Sequence, residues 1–69
     1  MGAEELAERL DSIAEELADL AFERLGAASA EAGRGGPPDP ALLAEERRLT
    51  RARRAVEKAA AVLRADAST

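Results

Sequence analysis

Leu42, Leu49, Val56 and Leu63 recur at every seventh position, with Ala52 and Ala59 between them. Upstream, Leu6, Leu10, Ile13, Leu17 and Leu20 alternate steps of four and three. Both spacings place apolar side chains in one stripe along an α-helix, so two amphipathic helices are expected. The segment Gly33-Arg34-Gly35-Gly36-Pro37-Pro38 separates them and reads as a turn, because glycine and proline at this density disfavour helix. If the chain folds back there, residues whose numbers sum to 69 face each other. Leu6 then meets Leu63, Leu10 meets Ala59, Ile13 meets Val56, Leu17 meets Ala52, Leu20 meets Leu49 and Arg24 meets Glu45. Two opposed 3-4 repeats always give a constant sum, so the information lies in the pairing of large side chains with smaller ones.

Local signals place the ends. Glu4 and Glu5 suit the positive end of a helix dipole, which starts the first helix near Gly2 or Ala3, and Glu5–Arg9 has the favourable i,i+4 order. Gly26 follows Leu25 as a terminating glycine does, yet Ala27, Ala28, Ala30, Glu31 and Ala32 are good helix formers. We therefore expect helix over about 3–25 with a frayed extension to 32, a turn over 33–39, and a second helix over about 40–65. Asp39 is a natural N-cap and Pro40 a natural first helical residue. The whole of 1–69 reads as one domain.

In heptad notation Leu10, Leu17 and Arg24 fall at a and Leu6, Ile13 and Leu20 at d. The second helix has Leu42, Leu49, Val56 and Leu63 at a, and Glu45, Ala52 and Ala59 at d. Alanine at d lets the helices approach closely while a leucine from the partner fills the space. Arg24 and Glu45 take core positions at the turn end and are expected to set register as an ion pair, unless both side chains extend outward to water. Ala7, Ala14, Ala21, Leu43, Ala55 and Val62 widen each stripe past what one neighbouring helix covers. Nine or so large aliphatic side chains are also too few to offset the ordering of two lone helices. Self-association is the expectation, most simply a homodimer of hairpins forming a four-helix bundle.

Composition narrows the chemistry. The chain has neither histidine nor cysteine, which removes the commonest acid–base group, the thiolate nucleophile and the usual zinc ligands. Glutamates such as Glu15, Glu16, Glu45 and Glu46 lack the Glu-x-x-His partner of a carboxylate di-metal bundle. Asp11-Ser12-Ile13 resembles the Asp-Ser-Leu of carrier proteins, but it lies mid-helix and is set aside. No enzyme activity, cofactor, metal or small-molecule substrate is expected. With no apolar run near the roughly 20 residues of a membrane span, and acids where a signal peptide carries positive charge, a soluble cytoplasmic protein with no membrane contact is the expected class.

Charge divides the chain as clearly as periodicity does. Residues 1–25 carry eight acids against two bases, residues 41–69 seven bases against four acids, within an overall net charge of −4. Opposite charge favours antiparallel docking of the two helices, weakly and less so in salt. Arg47, Arg51, Arg54 and Lys58 form one basic stripe opposite the Leu/Val seam, suited to phosphate, an anionic membrane, an acidic protein surface, the acidic first helix of another copy, or only solvent. Phe22, the single aromatic residue, falls at f with Leu25 and Ala18 on its flank, and marks either a contact surface or a residue buried by a local packing shift. The reading is a non-catalytic, self-associating helical hairpin acting as a structural or protein–protein interaction module. The alternative is a small regulatory nucleic-acid-binding protein that uses the basic stripe.

Overall fold

The computed structural model describes residues 2–37 and 39–65; Met1, Pro38 in the expected turn and residues 66–69 lie outside the described residues. Two helices, α1 (Ala3–Gly33) and α2 (Pro40–Arg64), pack against each other. The hairpin is slender, 56 × 18 × 13 Å between Cα extremes.

The helix starts follow their local chemistry. Glu4 and Glu5 occupy the first turn of α1, and the Gly2 carbonyl accepts from the Leu6 amide at 3.3 Å. At α2 the Asp39 carboxylate accepts from the Ala41 amide at 2.9 Å, with Pro40 as the first helical residue. At the end of α1 the extension expected beyond Leu25 is helical: the helix runs through Gly26 to Gly33. Ala28, two residues past that glycine, is buried at the level where α2 begins. Packing there and the alanine-rich sequence outweigh the roughly 1 kcal/mol that a mid-helix glycine costs. The chain then reverses through Gly35, whose φ of +87° lies in the left-handed region that only glycine enters cheaply.

The seam between the helices is not the one that the heptad pattern suggests. The buried residues are Ala7, Ala14, Ala21 and Ala28, all at e of α1, with Ala60 at e of α2. Leu10, Leu17, Leu42, Leu49, Val56 and Leu63 at a are half-buried. Leu6, Ile13 and Leu20, expected opposite α2, are 41%, 44% and 37% exposed, and Ala52 and Ala59 are exposed as well. The expected pairings of Leu10 with Ala59 and Leu17 with Ala52 in a shared core are therefore corrected. Each helix is turned by about 50° from an a/d seam to an a/e seam. The cause is steric: an alanine row in α1 permits closer backbone approach than a row of Leu and Ile, and the half-buried Glu46 and Arg53 of α2 line grooves together with Ala14 and Ala21.

The two glycines should respond oppositely to alanine. A Cβ at Gly26 meets nothing within 4 Å, so Gly26→Ala should stabilise by up to about 1 kcal/mol and raise Tm by several degrees. Gly35→Ala should lower Tm because of the strained φ. Thermal circular dichroism of both variants checks this; a lower Tm for Gly26→Ala would contradict an uninterrupted α1.

Candidate association surfaces

Equivalent heptad positions of two antiparallel helices emerge on the same broad face, because a two-fold axis normal to their common plane exchanges them. Arg64 at b of α2 displays this directly. Its Nε donates to Glu4 Oε1 at 3.0 Å and its Nη2 to Asp11 Oδ2 at 2.7 Å, both acids being at b of α1. One broad face of the hairpin therefore carries b and the other carries d and g.

The b face is polar and braced towards the open end, and towards the turn it carries an apolar patch of Ala18, Phe22 and Leu25, the last 45% exposed. Besides the Arg64 fork it holds the Arg53–Glu57 pair at 3.2 Å and the Thr50 hydroxyl donating to Glu46 Oε1 at 2.8 Å. An open groove of about 320 Å³ runs between Asp11, Ala14, Glu15, Ala18, Arg53 and Glu57. A second, of about 200 Å³, lies nearer the turn beside Phe22 and Leu25. Phe22 is 77% exposed, so the helix does not tuck it inside. The hydrogen bond to Arg64 holds the Asp11 carboxyl below its ordinary value of 3.8, and the same contacts raise the Arg64 guanidinium. Helical periodicity alone does not reveal this fork, although b positions of opposite charge at the open end signal it. Ser12 does nothing beyond the helix, donating to the Glu8 carbonyl one turn back at 3.3 Å.

At the other end Arg24 Nε donates to Glu45 Oε1 at 2.8 Å, both side chains about one-third exposed. The expected pair thus forms, and the Glu45 carboxylate raises the Arg24 guanidinium above its usual value. Arg47, Arg51, Arg54 and Lys58 all stand exposed on the outer edge of α2, and none makes an ion pair with a described residue. Glu5, Glu8, Glu15, Glu16, Asp19 and Glu23 line the outer edge of α1. The hairpin therefore has one acidic and one basic edge.

The d/g face has an apolar d row, flanked at g by the exposed Arg9, Glu16, Glu23 and Arg48. Leu6, Ile13 and Leu20 of α1 share it with Ala52, Ala55, Ala59 and Val62 of α2, and Val62 is 64% exposed. Each helix meets its neighbour through a/e and turns d/g roughly 110° away. The accessible surface of 5034 Å² exceeds the roughly 4,100 Å² typical of a folded monomer of 7.2 kDa.

No group of three or more potential metal-ligating side chains converges among the described residues, and no described helix is long and apolar enough to cross a membrane. Compared with protein-family models, curated proteins and solved structures, the chain matches none.

The depressed Asp11 value carries a pH dependence. A carboxyl whose folded pKa lies below its unfolded one adds stability above the unfolded value and loses it as pH falls through the folded one. Arg64 stays protonated throughout, so Asp11 is the titrating partner. Tm should fall between about pH 5 and pH 2, by less in Asp11→Asn than in the parent; identical pH–Tm curves would remove the fork from the account. The effect is small because the pair is solvent-exposed.

Proposed function

We propose that this chain is a non-catalytic helical hairpin that self-associates through its d/g face and serves as a structural or protein–protein interaction module. One observation supports the reading above the others: the hairpin buries alanines between its helices and leaves Leu6, Ile13, Leu20 and Val62 substantially exposed along one face. With its large aliphatic side chains at best half-buried among the described residues, the monomer gains only part of the folding free energy that their full burial would supply. Contiguous exposed apolar surface of this kind marks an association site.

Sedimentation equilibrium or light scattering should give twice the chain mass at micromolar concentration. Ile13→Glu and Leu20→Glu should each weaken association at least about tenfold, or roughly 1.4 kcal/mol. Phe22→Ser, on the opposite face, should leave the mass unchanged. A monomer at all concentrations, with melting independent of concentration, refutes the reading.

A second reading takes the exposed Arg47, Arg51, Arg54 and Lys58 stripe as a nucleic-acid contact, favoured by the four cations having no ion-pair partner among the described residues. Oligonucleotide affinity would then fall with salt, with a log–log slope near −3 for four phosphate contacts, at about −0.7 to −0.9 each. Absence of binding at low salt eliminates it.

A further inference from the structure

Two copies can stack their d/g faces in two ways. With the two-fold axis along the helices, α1 of one copy lies on α2 of the other and both turns sit at the same end. With the axis across the helices, α1 lies on α1, α2 on α2, and the turns sit at opposite ends. Both arrangements make every adjacent helix pair antiparallel, so helix direction does not distinguish them.

Side-chain size and charge do. The d row of α1 is large, Leu6, Ile13 and Leu20, and that of α2 is mostly small, with Ala52 and Ala59. Placing α1 on α1 sets bulky rows against each other and leaves alanine facing alanine, which is overpacking beside a void. Placing α1 on α2 lets the large row fill the space over the small one. Charge selects the same arrangement: α1 on α1 brings together two edges on which the six acids Glu5, Glu8, Glu15, Glu16, Asp19 and Glu23 outnumber the one cation Arg9, whereas α1 on α2 alternates acidic and basic edges around the bundle.

We infer that the occupant of the d/g face is a second copy of this chain stacked α1 on α2, with both Gly/Pro turns at one end of the bundle. The inference rests on the self-association proposed above and specifies its geometry. An axis parallel to the helices preserves height, and within the hairpin residue n of α1 stands level with residue 69 − n of α2, as the Arg24–Glu45 pair displays. Ile13 of one copy then seats between Ala52 and Ala59 of the second. At g, Glu23 stands within about two residues' height of Arg48 of the second copy, about 3 Å along the axis. Glu23 and Arg48 are both exposed, and neither has an ion-pair partner among the described residues of its own chain. The Leu-over-Ala packing legible in the heptads thus recurs between copies instead of within one.

Cysteine is absent from the chain, so Ser29→Cys near the turn and Ala61→Cys near the open end, both exposed, accept spin labels singly. Dipolar spectroscopy on the dimer should find Ser29 labels closer to each other than a Ser29 label is to an Ala61 label on the other copy, a pair about 30 Å apart along the axis. In parallel, Glu23→Arg and Arg48→Glu should each weaken the dimer roughly three- to tenfold, and the double variant should recover most of that loss. A shorter distance for the Ser29–Ala61 pair overturns the inference and places the turns at opposite ends while leaving self-association intact. A chain monomeric throughout overturns the proposed function itself.

Discussion

The close contact of an alanine row with the neighbouring helix governs this molecule. Ala7, Ala14, Ala21 and Ala28 present one buried methyl group per two turns along α1, while Leu49, Val56 and Leu63 of α2 are half-buried. Small residues let backbones approach, and close approach brings more atoms into dispersion contact than the small transfer free energy of alanine suggests. The same choice turns the larger side chains of the d row aside. A hairpin built on alanine is narrow, and its leucines are left for another surface.

Charge reinforces this division without creating it. The acidic first helix and basic second helix attract each other at both ends of the hairpin, through Arg24–Glu45 beside the turn and Arg64 with Glu4 and Asp11 at the open end. These contacts are at least one-third exposed, so they bias orientation and register more than they add stability. They also leave the outer edges oppositely charged. A module with an apolar face between an acidic and a basic edge distinguishes among its own possible assemblies, since the wrong one meets like charge as well as poor packing.

Much of the architecture was legible in the residues. Heptad spacing identified the helices, Asp39-Pro40 marked the start of α2, and the Gly/Pro segment 33–38 marked the turn, within which the structure singles out Gly35 as the left-handed residue. Arg24 and Glu45 were found because they are the one polar pair at core positions. The seam was misassigned because Leu6, Ile13 and Leu20 carry a stronger hydrophobic signal than Ala7, Ala14 and Ala21, although both rows repeat every seven residues. Hydrophobicity measures the gain from leaving water and does not register how closely two backbones can approach. Arg64 was missed because its partners lie 60 and 53 residues away in sequence, on a face that only the antiparallel geometry defines.

The sequence by itself determined two amphipathic helices, the place of the turn and the segregation of charge, since these follow from period, backbone freedom and local capping. Only the tertiary structure decided which of two adjacent apolar rows lies between the helices. That choice turns on about 50° of rotation about each helix axis, which local interactions leave nearly unchanged and packing between helices does not. Alanine went inward because it allows contact across the pair, and the leucine row was thereby turned toward the surface.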